Sequence, residues 1–159
     1  MNKDMKVGIG DMKIGRREGT IITYALGSCI GITFYDPAIK LGALLHIMLP
    51  EANGRESNIF KFADTGIRET LRKLSVFGGV KSRYICKIAG GAQMFAVSGG
   101  GDLGNIGQRN IESVRKILQA EGIRIRNQDV GGNSARTMLL ELETGTVKLR
   151  TIGKPDVVL

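Results

Sequence analysis

The sequence predicts an α+β fold: mostly antiparallel strands in packed sheets, with about two main helices on the outside. Three observations predict it. Short β-branched and apolar stretches outnumber helical ones, only two segments sustain a 3.6-residue period, and strand hairpins outnumber strand-helix-strand units. A length of 159 residues suits one domain, expected to span 1–159, and a chain of this size buries roughly 68–70% of its unfolded surface. No repeat, linker or low-complexity tract divides it, and the three prolines, Pro37, Pro50 and Pro155, are widely scattered.

In chain order, residues 21–26, 29–35 and 41–49 read as strands from their β-branched, aromatic and apolar content, with Asp36-Pro37 marking a turn. Ser57 reads as the N-cap of a helix whose stripe is Ile59, Phe60, Ala63, Ile67, Leu71 and Leu74, ended by Gly78-Gly79. Residues 83–89 form a further strand. Asn105 opens a second helix with Ile111, Val114, Ile117 and Leu118 on its stripe, closed by Gly122. Ile123, Ile125 and residues 138–151, broken at Thr144-Gly145, alternate as strands and end in a hairpin.

Composition excludes much chemistry. With 42% apolar and 24% charged residues the chain is globular. One histidine, His46, cannot build a His₂ or His₃ zinc site, and Cys29 and Cys86 cannot build Cys₄ or Cys₃His, so neither a metal nor another cofactor is expected. The absence of a CxxC pair, an apolar signal segment and any run of ~20 apolar residues leads us to expect a cytoplasmic protein with reduced thiols and no membrane insertion. Lys and Arg number 23 against 15 Asp and Glu, a net charge of +8. That excess permits nucleic-acid binding, but it fits a solvated surface or an acidic protein partner equally well. No compact basic run is present, and with no Trp, 5 Phe and 3 Tyr stacking platforms are scarce.

Any Ser/His or Cys/His nucleophilic mechanism must use His46. If residues 36–39 form the loop between the second and third strands, Tyr35 pairs with Lys40 and Cys29 falls directly opposite His46. Directly opposed antiparallel residues share a face, with Cβ atoms about 4.5–5.5 Å apart. A loop two residues longer makes the two diagonal neighbours on that face, whereas a one-residue slip separates them. Leu26-Gly27-Ser28 forms a glycine turn able to bring backbone N–H groups to the sulfur, favouring thiolate and offering an oxyanion hole. Spacing alone leaves two readings open: a catalytic pair, or a small buried hydrophobe beside a satisfied core histidine. Cys86 has no second histidine to activate it and reads as structural. Gly99, Gly101 and Gly104 match G-x-G-x-x-G, but the strand after the next helix reads as amphipathic rather than buried and parallel, and no acidic residue stands at the ribose position; a surface loop fits better.

The string Thr23-Tyr24-Ala25-Leu26-Gly27-Ser28-Cys29-Ile30-Gly31, then Tyr35-Asp36 and His46, resembles the CheD family of chemoreceptor glutamine deamidases. So do Gly90-Gly91-Ala92-Gln93-Met94, Ile106-Gly107-Gln108-Arg109-Asn110, Asp129-Val130-Gly131-Gly132 with Arg136, and Thr144-Gly145, in that order, over roughly residues 5–152. The resemblance implies a Cys29 nucleophile, a His46 base and a Thr23 that orients the histidine, with Gly27 and Ser28 as backbone support for the oxyanion. It implies a fold like that of bacterial toxin deamidases and deamidation of glutamines on methyl-accepting chemoreceptors, with hydrolysis of glutamyl methyl esters left open. It also implies a CheC-type phosphatase as regulatory partner, linked to CheY. It gives nucleic acid no role, so the charge reads as attraction to acidic protein surfaces. The competing expectation is a non-enzymatic module that modulates a CheC-type phosphatase.

Overall fold

Short β-branched and apolar stretches along the chain, and two stripes of 3.6-residue period, produce two sheets and two helices. The structure is a computed structural model that describes residues 3–54, 57–94 and 105–159. The strands are β1 (Asp4–Val7), β2 (Asp11–Arg16), β3 (Thr20–Leu26), β4 (Ile30–Asp36), β5 (Leu41–Ile47), β6 (Ile85–Gly90), β7 (Ile125–Val130), β8 (Arg136–Glu141), β9 (Val147–Thr151) and β10 (Val157–Val158). The helices are α1 (Ala63–Val76) and α2 (Ile106–Ala120). One sheet runs β1-β3-β8-β9-β10 and the other β2-β5-β4-β6-β7.

These stack as three layers. Odd-numbered residues of β5, with Ile30, Ile32 and Phe34 of β4, pack under Ala63, Ile67, Leu71 and Leu74 of α1 and Ile111, Val114, Ile117 and Leu118 of α2. The other face of that sheet, with Tyr35, Leu44 and Ala89, packs against Ile21, Met138, Leu140 and Leu149 of the first sheet. Strands β4 and β5 are covered on both faces and buried throughout, which is why they read as unbroken apolar runs rather than alternating ones.

Most pairings are antiparallel, as expected, but β1 pairs with β3 and β6 with β7 in parallel. The β6–α2–β7 unit is therefore a parallel crossover, contrary to the reading of the seventh strand as unsuited to one. β7 is an edge strand and half solvated, so its pattern is amphipathic whichever way it runs. The glycines at 99, 101 and 104 lie outside the described residues. Strands β1 and β2 were not expected; their apolar residues alternate with Asp, Lys and Arg, as suits strands at the edges of sheets.

Helix starts also differ from expectation. Ile59–Lys61 is a 3₁₀ turn, and α1 begins only after Phe62. Phe62 is held extended (φ −113°, ψ 142°) by a parallel bridge to Leu49, whose carbonyl accepts the Ala63 N–H at 2.9 Å. Asn105 precedes α2 without a side-chain capping bond. The helix ends match: Gly78 and Gly122 adopt φ of 96° and 74°, the left-handed stop that favours glycine.

Two residues from the Tyr35-Asp36 pair pin the layers. Asp36 stays in β4 because its carboxylate receives the Arg83 Nε and Nη2 at 2.8–3.0 Å and the Val80 and Ala38 amides at 3.1 Å. Burial would raise the Asp36 pKa; these donors overcome it and hold the carboxyl below its ordinary value. Tyr35 reaches across to the other sheet, its hydroxyl donating to the carbonyls of Leu142 (2.8 Å) and Glu143 (3.1 Å). Its ring lies on Gly145, where a Cβ would come within 2.4 Å. Tyr35→Phe keeps the ring and strands the Leu142 carbonyl, so we expect a loss of about 1 kcal/mol, read as a lower urea midpoint with an unchanged slope; an unchanged midpoint would show the bond contributes nothing.

Candidate active site

The layer between the two sheets brings the predicted site residues together. Because Asp36 remains in β4 and pairs with Leu41, the loop is 37–40, and His46 faces Gly31 rather than Cys29. Cys29 sits just before β4, in the bend at residues 27–29. Continuing the alternation of β4 back from Gly31 puts Cys29 on the face of His46, as its diagonal neighbour. The sulfur belongs to the same inter-sheet cluster as Leu44 and Ala89. The shared face held; direct opposition did not.

Thr23 reaches His46 from the opposite sheet. Both are fully buried, and Thr23 Oγ1 lies 2.7 Å from His46 Nδ1 and 2.8 Å from the Val7 carbonyl oxygen. A hydroxyl carries one proton, and the Val7 carbonyl can only accept it. Nδ1 must then donate to Oγ1, which fixes the tautomer: Nδ1–H on one side and a lone pair on Nε2. Among the described residues Nε2 has no hydrogen-bond partner, Cys29 included.

Burial sets the charge state. His46 is opposite a glycine, with Met138 and Leu26 packed against Gly31 so closely that a Cβ there would meet them at 2.8 and 3.0 Å. Desolvation in this apolar layer lowers the His46 pKa to about 4. Burial also pushes the Cys29 thiol up, opposed by its own backbone N–H. The pair therefore rests as neutral thiol and neutral imidazole, against the expectation that the turn favours thiolate. Cys86 is more deeply buried, and desolvation pushes its thiol much further up.

The bend carrying Cys29 is held from behind. Gly91 N–H donates to the Cys29 carbonyl (2.9 Å) and Ala92 N–H to the Gly27 carbonyl (2.8 Å), while Gly27 N–H is itself donated to the Ala25 carbonyl (2.9 Å). Gly27 thus supports the bend rather than offering a free donor. At Gly90, with φ 115°, a Cβ would stand 2.2 Å from the Cys29 carbonyl oxygen, so only glycine lets β6 approach. Asn110 was not singled out for a role, although it is a polar residue on the buried side of α2, next to Ile111 and one turn before Val114; its amide donates to the Ser28 and Met48 carbonyls. Among the described residues no group of His, Cys, Asp and Glu gathers that could hold a metal ion.

This arrangement can be compared with known proteins. The family model described as CheD chemotactic sensory transduction matches residues 48–151. A protein of Desulforamulus reducens named "Probable chemoreceptor glutamine deamidase CheD" is 45% identical over 156 residues, 97% of this chain and 94% of that protein. Proteins with the same name from Syntrophomonas wolfei (46% identical, 96% of each chain) and Pyrococcus abyssi (44%, 96% of this chain and 94% of that one) match equally fully. The chain belongs to the CheD family. The CheD model match begins just after His46, so Thr23, Cys29 and His46 lie ahead of it, within the span that the full-length CheD relatives cover.

In this CheD-family chain the neutral His46 couples to stability with a definite sign. Its folded pKa, about 4, lies below the ordinary 6.5, so the unfolded chain takes up a proton first as pH falls. The contribution is whole above pH ~6.5 and is lost between there and pH ~4. Wild type should therefore lose about 2 kcal/mol more than His46→Gln between pH 7 and pH 5, measured by urea unfolding at each pH; parallel losses would contradict a buried neutral imidazole.

Proposed function

We propose that residues 1–159 act as one catalytic domain that deamidates glutamine side chains of methyl-accepting chemoreceptors to glutamate, with Cys29 as nucleophile and His46 as base. The carrying observation is the Thr23–His46 hydrogen bond, which leaves the Nε2 lone pair unengaged on the face shared with Cys29. The names borne by the relatives support the substrate class.

His46 Nε2 takes the Cys29 proton as the sulfur attacks the glutamine amide carbon, forming a C–S bond and an oxyanion. Backbone N–H groups of Ser28 and Cys29 serve as donors to that oxyanion, each good donor being worth about 3 kcal/mol. The imidazolium returns its proton to the amide nitrogen, the C–N bond breaks and ammonia leaves. Water, deprotonated by His46, then attacks the thioester and releases glutamate and the Cys29 thiol. One water is consumed and one ammonia is formed. Thr23 holds the ring in the tautomer this sequence requires. No cofactor enters.

Tyr24, Met48 and Met94 are exposed apolar residues close to the site, Met94 lying against Gly27, and they suit contact with a protein substrate. The net charge of +8 suits an acidic partner surface. A CheC-type phosphatase as regulator, and the cytoplasm as location, belong to the same reading. Among the described residues no helix is long and apolar enough to cross a membrane.

Cys29→Ala and His46→Ala should each abolish Gln→Glu conversion in a chemoreceptor cytoplasmic fragment, followed by mass spectrometry, while circular dichroism shows the fold intact. Retained conversion in either folded variant would sink the assignment of Cys29 and His46. Thr23→Val removes the acceptor for Nδ1–H, and we expect kcat to fall by ~10² with recovery in Thr23→Ser. Equal rates in the Val and Ser variants would show that the hydroxyl plays no part.

A further inference from the structure

The ladder between β4 and β5 ends at Ile30 and Ile47. Cys29 lies beyond it, so strand pairing does not fix the distance from Cys29 to His46. Something outside the ladder must. The Ser28 carbonyl, one residue before the nucleophile, and the Met48 carbonyl, two residues after His46, are bridged by a single group. Asn110 Nδ2 donates to them at 2.9 and 3.0 Å. Asn110 is fully buried.

The amide cannot sit the other way round, since Oδ1 would then face two carbonyl oxygens that offer no proton. Oδ1 itself has no partner among the described residues. A buried polar atom left unsatisfied carries a cost, and it is borne here so that both Nδ2 protons reach the two carbonyls. The neighbourhood is shaped to allow this reach. A Cβ on Gly107 would stand 2.4 Å from the Ala92 carbonyl oxygen and 2.7 Å from that of Gly91, so the first turn of α2 lies against the segment that also holds the Cys29 bend. One turn after Asn110, Ser113 Oγ donates to the Pro50 carbonyl at 3.0 Å, which ties down the chain after His46 without touching the Cys29 side.

We infer that Asn110 is a positioning residue for the reaction: its amide spans the Ser28 and Met48 carbonyls and sets the separation at which His46 can take the Cys29 proton. The inference rests on the proposed Cys29–His46 chemistry. It makes α2 the element through which the nucleophile's bend and the base's strand move together.

The test is a double-mutant cycle on the full-length chain, read as the rate of Cys29 alkylation by iodoacetamide at pH 7 and mapped by peptide. His46→Ala should slow Cys29 alkylation at least ~tenfold in wild type and leave it unchanged in an Asn110→Ala background. Ser113→Ala should preserve the full effect of His46. On a receptor fragment, Asn110→Ala should lower kcat at least ~tenfold with KM unchanged. Should Asn110→Ala not fold, Asn110→Ser, too short to span both carbonyls, takes its place in the same cycle. A full tenfold His46 effect in a folded Asn110 variant would overturn the inference. If His46→Ala leaves wild-type alkylation unchanged, the Cys29–His46 pairing itself fails, a result distinguishable from failure of the clamp alone.

Discussion

The hydrogen bond between Thr23 and His46 crosses the interior from one sheet to the other, and the geometry of the site depends on it. It requires β3 and β5 to face each other across an apolar layer. It also requires the hydroxyl proton of Thr23 to be taken elsewhere, and the acceptor is the carbonyl of Val7, whose residue pairs with Thr23 in the parallel β1–β3 register. The short first strand is thus part of the site: it takes the one proton that would otherwise let Thr23 donate to the ring. An orienting threonine in place of a carboxylate has an electrostatic consequence. Thr23 brings no negative charge to stabilise the protonated ring, and desolvation lowers its pKa.

A depressed histidine is a weak base and a strong acid, and deamidation demands the second property more. In the tetrahedral intermediate, sulfur is the better leaving group, and the reaction goes forward only if nitrogen departs first. Nitrogen leaves only when protonated. An imidazolium that is costly to keep in an apolar layer returns its proton readily, and the acceptor within the proposed sequence is that amide nitrogen. The neutral resting pair has a further effect: the charges arise only when substrate is present to share them, so burial of the site does not require an ion pair to persist in the empty enzyme.

Much of the arrangement was legible in sequence because period-two parity survives a displaced loop. The loop keeps the expected four residues but lies one residue later, at 37–40, which moves the pairing by two and changes opposition into a diagonal but keeps Cys29 and His46 on one face. The core stripes of both helices and their glycine stops were legible for the same reason, being local and periodic. What was hidden was set by contacts between distant segments. Phe62 is drawn extended by Leu49, shortening the expected helix from its N-terminus. Strand direction in β6 and β7 depends on a crossover that edge-strand composition does not encode. Asn110 left one signal, a polar residue in an apolar stripe, but its two acceptors are carbonyls at residues 28 and 48, and backbone groups have no letter in the sequence.

The parity that holds across the β4–β5 hairpin breaks inside β3, between Thr23 and Leu26. In a regular strand, an inward Thr23 makes Leu26 point outward. Both are fully buried, because the pairing with β8 slips between them and Ala25 adopts φ 58°, a left-handed conformation that costs a non-glycine residue about 1–2 kcal/mol. This bulge turns Tyr24 and Ala25 out to solvent, returns Leu26 to the core beside Gly31, and starts the bend that delivers Cys29 to the face of His46. Strain at one exposed alanine therefore resets the phase between Thr23 and Leu26. A straight β3 would keep Thr23 on His46 and lose the inward turn of Leu26 on which the approach to Cys29 depends.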